Sequence, residues 1–177
     1  MSLDEYWRKR DFVQSPEPKG EIGMISKDEI KDEIGKDEIK GNEEKIDDAG
    51  LMPADIFVVQ EHHSSRLHWD FRLEMGGVLR SWAVPKGVPE EFGVRRLAIQ
   101  TEDHPIEYAN FEGSIPEGMY GAGKVIIWDR GTFILEEETD KKLVFQLKGK
   151  RLTGKYALIK IMLRGKESWL LFKVMEF

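Results

Sequence analysis

From Asp55 to the C-terminus, apolar residues recur at every second position in short runs broken by Gly, Pro and Asp. That period suits half-buried strands and not helices. The strand candidates are 56–62, 68–75, 78–84, 95–102, 123–129, 132–138, 142–148, 154–163 and 168–176. Gly76-Gly77 separates two of them as a tight hairpin turn, and Asp129-Arg130-Gly131 reads as another connection. Short turns between successive runs predict consecutive antiparallel strands. The fold class is therefore mainly β: a compact antiparallel β-barrel with a short N-terminal helix and few flanking helical turns.

The helix is expected over residues 2–12, where Ser2-Leu3-Asp4-Glu5 has the form of a capping box and runs into Tyr6, Trp7 and the basic triplet Arg8-Lys9-Arg10. After it, Lys-Asp-Glu-Ile occurs three times with single isoleucines as almost the sole apolar content, and Gly35 and Gly41 interrupt any helix there. The expected organisation is an N-terminal basic helix or arm at 1–18, an acidic low-complexity linker at 19–52 and a β-barrel domain at 53–177. Residues 17–50 carry twelve acidic side chains against six lysines, and so hold the entire net charge of −6. The rest of the chain is neutral overall, a balance that still permits a basic groove on one face.

Composition adds three constraints. The chain of 177 residues has no cysteine, so any metal must be held by His, carboxylates or water, and a reducing cytoplasm is the expected compartment. No run approaches the roughly 20 apolar residues of a membrane span. The length suits one buried core, and a monomer is expected.

Three of the four histidines, His62, His63 and His68, fall within seven residues. Strict alternation from 66 to 74 puts Leu67, Trp69, Phe71 and Leu73 on one strand face and His68, Asp70 and Arg72 on the other. If 63–67 form the loop, antiparallel pairing sets His62 opposite His68 and Gln60 opposite Asp70, with Val59 against Phe71 and Phe57 against Leu73. A slip of one residue would turn His62 to the apolar face. Two imidazoles and a carboxylate on one face, with open positions left, suit Mn²⁺, Zn²⁺ or Fe²⁺. A solvated polar sheet face is the bland alternative. Arg72 adds a planar fork of donors for phosphate. His104 and Tyr108, four residues apart, align on one helical turn; they either act together on a phosphate or serve as cap and packing residue. Pro116–Gly123 has three glycines but no Gly-Lys-Ser/Thr, so it reads as a turn between strands rather than a phosphate cradle.

The segments EYWRKRDFVQSPEP, FVVQEHHSSRLHWDFRLE, LRSWAVPKG and RLAIQTEDHPIEYANFEGSIPEGMYGAGKVIIWDRGTF together resemble the 3′-phosphoesterase domain of bacterial end-joining DNA ligase D, which also occurs freestanding. The resemblance implies a divalent metal, typically manganese, held by His62, His68 and Asp70. It implies phosphate-binding and catalytic positions at Arg72, His104 and Tyr108, and lining or supporting positions at Gln60, Lys86, Arg96 and Glu102. Arg10, Asp11 and Glu17 match an N-terminal segment tied in the family to diesterase action. The implied reactions are removal of a 3′-terminal ribonucleoside and of a 3′-phosphate, leaving a ligatable 3′-hydroxyl. The implied substrates are DNA or RNA–DNA primer-template 3′ ends, and the implied partner is a DNA ligase. Two readings of the residues compete with this one. A non-haem Fe(II) oxygenase would recruit His104 as a ligand. A non-catalytic end-binding barrel would use Arg8-Lys9-Arg10 and exposed aromatics.

Overall fold

The computed structural model describes residues 2–20 and 54–176. The expected acidic linker falls almost wholly outside the described residues. Among those described are one helix, α1 (Asp4–Arg8), and nine strands: β1 (Asp55–His63), β2 (Leu67–Met75), β3 (Val78–Val84), β4 (Arg95–His104), β5 (Gly113–Ile115), β6 (Gly123–Thr139), β7 (Lys142–Gly149), β8 (Thr153–Leu163) and β9 (Lys166–Lys173). Their hydrogen-bonded order is β1-β2-β3-β4-β9-β8-β7-β6, closed by antiparallel pairing of β1 with β6. This is a closed eight-stranded antiparallel barrel, with β5 added along β6. A 3₁₀ turn at Ile106–Asn110 follows β4.

Alternation along the strands divides the apolar side chains between two cores. The barrel interior holds Phe57, Val59, Phe71, Leu73, Trp82, Phe145, Tyr156 and Leu158, with the Phe71 and Phe145 rings stacked at 5.8 Å. The outer face of β1 and β3 is buried as well. Val58 and Leu79 pack there against Tyr6, Tyr108, Ala109, Phe111, Ile115 and Val125. A sheet face of that kind needs a cover, and the cover is the N-terminal segment with the 3₁₀ turn. Tyr6 of α1 is fully buried and its hydroxyl donates to the Pro18 carbonyl, while Trp7 Nε1 donates to the Lys19 carbonyl at 2.9 Å. These bonds tie the two ends of the segment together over the sheet.

The β1–β2 register is the expected one: His62 faces His68, Gln60 faces Asp70, Val59 faces Phe71 and Phe57 faces Leu73. Three sequence expectations need correction. The capping box does not form, because the five-residue helix starts after Leu3 and Ser2 Oγ instead accepts the Asp4 N–H at 3.2 Å. Burial of Tyr6 holds this helix, since so short a piece is marginal by itself. Runs 123–129 and 132–138 are one continuous strand, β6. Asp129-Arg130-Gly131 is paired strand and not a turn, facing Val59, Val58 and Phe57, and the register shift falls just before it, at Trp128. Gly131 is there for clearance: a Cβ would lie 2.0 Å from the Lys148 carbonyl oxygen. Asp129 is buried and accepts the N–H groups of Lys150, Arg151 and Leu152 at 2.9–3.2 Å, so its carboxylate closes the β7–β8 connection. Finally, β5 was not among the strand candidates; its three residues show no period to read.

Candidate active site

Because the inner faces of β1, β2 and β3 fill the barrel, their alternate residues Gln60, His62, Asp70, Arg72, Ser81 and Ala83 point outward under the N-terminal segment. Of these, His62, Asp70, Arg72 and Ala83 floor a cleft of about 420 Å³ whose walls come from Arg10 and Glu17, from Thr101, Glu102 and His104 of β4, from Tyr108, and from Met119–Ala122. A register shift in the β3–β4 pairing, between Leu79 and Ser81, brings Thr101, Glu102 and His104 to the same side.

His62, His68 and Asp70 each offer one ligand atom, all within 4.8 Å of one another, and can together hold a metal ion. The remaining nitrogen of each ring decides which one faces the carboxylate. A carbonyl only accepts, so His62 Nε2–H donates to Gly121 O at 2.6 Å and leaves the Nδ1 lone pair toward Asp70 Oδ2, at 3.3 Å. In the same way His68 Nδ1–H donates to Arg66 O at 3.0 Å and leaves Nε2 toward Asp70 Oδ1, at 3.4 Å. Backbone carbonyls thus fix both tautomers with the free lone pairs converging, which is the outer-shell arrangement of a histidine metal site. The donor set of two imidazoles and one carboxylate suits a divalent transition metal. His104 is not part of this group, so the ligand role that the oxygenase reading gave it is not the one this geometry offers.

Burial alone would raise the Asp70 carboxyl, but the charge of the Arg72 guanidinium, with the His62 and His68 rings beside it, holds it well below the usual carboxylate range. Arg72 is 3 % exposed and fully oriented: Nε donates to Gln60 Oε1 at 2.7 Å, one terminal nitrogen to Ser81 Oγ at 2.9 Å, and the other lies 3.4 Å from Asp70. Gln60 does not line the cleft; its amide nitrogen is held by the Tyr108 and Phe111 carbonyls, and it serves by locking Arg72.

His104 ends β4 and Pro105 begins the 3₁₀ turn, so His104 and Tyr108 meet at 4.7 Å without sharing a helical turn. His104 Nδ1–H donates to the Glu102 carbonyl at 2.9 Å and leaves Nε2 as acceptor, 3.3 Å from Arg10. Burial, with Arg72 and Arg10 nearby, pushes its pKa well below 6.5, so the ring is neutral. The Tyr108 hydroxyl donates to Glu17 at 2.8 Å; burial, then the charge of Glu17, raises it well above 10 and keeps it protonated. Arg10 joins Glu17 at 2.9 Å to Glu102 at 3.0 Å, and Lys9 adds contacts to Glu5 and Glu102. Two members of the basic triplet are therefore engaged in ion pairs.

Not every position implied by the resemblance enters the cleft. Asp11 is exposed and caps a turn through Val13 N–H. Lys86 is exposed on the turn after β3. Arg96 lies on the Ala98 side of β4, away from Thr101, and its Nε has no hydrogen-bond partner among the described residues. Conversely, Ser81 and the carbonyls of Arg66 and Gly121 were missed, the last two because backbone acceptors leave no mark in a residue pattern. Gly121, at φ +75°, hinted at a close approach; a Cβ there would meet the His62 ring at 3.4 Å.

Residues 60–160 match the family model described as the DNA ligase D 3′-phosphoesterase domain. The chain is 45 % identical over 180 residues to the multifunctional non-homologous end joining protein LigD of Pseudomonas aeruginosa, covering 98 % of this chain and 19 % of that protein. It is 58 % identical over 162 residues to the multifunctional non-homologous end joining DNA repair protein LigD of Mycobacterium tuberculosis, covering 89 % and 18 %. Against LigD of Mycolicibacterium smegmatis it is 41 % identical over 185 residues, covering 98 % and 21 %. The chain spans about a fifth of the length of these relatives.

Two predictions follow from this geometry. Titration with Mn²⁺ should show binding weakened in His68→Ala by more than the ten- to hundredfold typical of losing an outer-shell partner, with His104→Ala binding as the wild type does. Burial lowers the His68 pKa, but its hydrogen bond to Asp70, the Asp70 charge and the Arg66 carbonyl carry it above 6.5, so protons should begin to displace the metal above that pH. Equal losses in the two variants would contradict the assignment. The second concerns stability in a chelator. Below pH 6.5 the unfolded chain takes up a proton that buried His104 refuses, so stability falls with pH by up to about 1.4 kcal/mol per unit. Urea unfolding should show this slope in the wild type and lose it in His104→Asn; parallel curves from pH 7 to 5 would refute it.

Proposed function

We infer that this chain, which belongs to the DNA ligase D 3′-phosphoesterase domain family, is a metal-dependent hydrolase of nucleic-acid 3′ ends. It removes a 3′-terminal ribonucleoside, leaving a 3′-phosphate, and removes that phosphate to leave a ligatable 3′-hydroxyl. The substrates are the 3′ ends of DNA or RNA–DNA primer-templates in end-joining repair, with a DNA ligase as the next enzyme to act. The observation that carries the reading is the convergence of His62, His68 and Asp70 beside the locked guanidinium of Arg72.

Charge balance argues for the cation. The ionised groups around the cleft are Asp70, Glu17 and Glu102 against Lys9, Arg10 and Arg72, a formal total of zero. A phosphate dianion entering that set has no net counter-charge. A divalent ion, most simply Mn²⁺ on His62, His68 and Asp70, would supply it, withdrawing charge from phosphoryl oxygens and lowering the pKa of a water. The chain's own side chains position the substrate. Arg72 uses one N–H on each of three nitrogens for Gln60, Ser81 and Asp70, which leaves two terminal N–H groups for phosphate oxygens. That fork cannot rotate, so it meets the developing charge without reorganisation. Neutral His104 offers Nε2 as a proton acceptor, which fits orienting a water or hydroxyl better than protonating a leaving oxygen. Glu17 and Arg10, brought by the N-terminal segment, narrow the cleft where an extra nucleoside would sit.

The reading is tested with a labelled strand ending in a 3′-phosphate or a 3′-ribonucleoside, annealed to a template, with and without Mn²⁺. Manganese-dependent conversion of both to a 3′-hydroxyl is expected; absence of any product would refute the function. Arg72→Lys keeps the charge but loses the two-point contact, and should lower the rate by on the order of 10²–10³ while the protein stays folded. Near-wild-type turnover would remove Arg72 from the reaction. Glu17→Gln should lower nucleoside removal more than phosphate release, and equal losses would count against a role for the segment in the first step.

A further inference from the structure

The loop between β5 and β6 holds a side chain that the chemistry above does not use. Two successive turns shape it: Met119 N–H donates to the Pro116 carbonyl at 3.2 Å and Ala122 N–H to the Met119 carbonyl at 3.1 Å, with Gly118 and Gly121 at φ +83° and +75°. Gly121 is pinned by its carbonyl to His62, so the residue before it, Tyr120, is fixed at the rim of the cleft.

The Tyr120 hydroxyl lies 3.5 Å from Lys9 Nζ, which stands 4.8 Å from the ring centroid, and Arg10 Cζ lies 5.2 Å from it. Despite these contacts the residue is 47 % exposed. A half-exposed aromatic contributes little to a core, and this one is held by two cations of the N-terminal segment rather than by apolar neighbours. Its hydroxyl is directed to Lys9 and not to Asp70 or Arg72. What remains is an oriented π-surface at the mouth of a phosphate-sized site, the feature by which proteins hold single-stranded bases without reading their sequence.

We propose, resting on the end-processing reading above, that the Tyr120 ring is a stacking platform for the base of the leaving 3′-terminal nucleoside. The leaving side follows from its contacts. Tyr120 touches Lys9 and Arg10, and Arg10 bonds to Glu17 and Glu102, whereas the phosphate-binding floor of Asp70 and Arg72 lies on β2. A strand that ends in a bare 3′-phosphate has nothing to offer this ring.

The test uses three template-annealed strands identical except at the 3′ terminus: a ribonucleoside, an abasic ribose on the same phosphodiester, and a phosphate. Steady-state kcat and KM are measured for wild type, Tyr120→Phe and Tyr120→Ala. Tyr120→Ala should lose on the order of tenfold in kcat/KM on the ribonucleoside strand relative to its own change on the other two, mainly through KM. Tyr120→Phe should keep the wild-type ratio, since it keeps the π-surface. Equal losses by Tyr120→Ala on all three strands would overturn the proposal and make Tyr120 a support for the loop. A loss in Tyr120→Phe matching that in Tyr120→Ala would overturn it in favour of the hydroxyl contact with Lys9, and no loss at all would overturn it outright. Failure of the wild type on every strand would sink the end-processing reading itself, a result separable because it needs no variant.

Discussion

The cleft is organised around the carboxylate of Asp70, which lies buried on the outer face of a barrel strand where an unpaired charge would cost several kcal/mol. Its partners offset that cost and are themselves set by it. Arg72 two residues along the strand, His62 across the β1–β2 pair and His68 two residues back all turn a polar atom to its two oxygens. Each partner is then anchored from behind, His62 by Gly121, His68 by Arg66 and Arg72 by Gln60 and Ser81. The result is a rigid set of donors assembled before any ligand arrives, which is the condition for electrostatic catalysis of phosphoryl chemistry.

The barrel provides the rigidity, and the N-terminal segment provides the cover. An inward face made of Phe57, Val59, Phe71 and Leu73 fixes the register of β1 against β2, because a one-residue slip would bury the polar set and expose the apolar one. The outer face would stay open without Tyr6, whose burial brings Arg10 and Glu17 over the floor. Packing in one core therefore places His62, His68 and Asp70, and packing in the other places Arg10 and Glu17.

Much of this was legible in the residue pattern. The His62–His68 and Gln60–Asp70 pairs follow from alternation alone, since each polar position is locked to an apolar neighbour of opposite facing. The pattern misled where local chemistry imitated a different element. Asp129-Arg130-Gly131 has the composition of a turn, yet Gly131 is required by the approach of Lys148 and Asp129 by the N–H groups of 150–152. Contacts carried by carbonyls, as at Gly121 and Arg66, left no trace because every residue has one. Arg96 and Lys86 show the converse: side chains apt for phosphate that the strand parity of β4 and the turn after β3 keep out of the cleft.

The central claim is that a divalent cation sits on the Asp70 set and meets a 3′-phosphate held by Arg72. The most direct measurement is an anomalous difference map at the manganese edge, from crystals grown with Mn²⁺ and a 3′-phosphorylated strand. The account predicts one peak among His62, His68 and Asp70, with the phosphate seated beside the Arg72 guanidinium. A peak held by Glu17 and Glu102, or a phosphate seated away from Arg72, would contradict it.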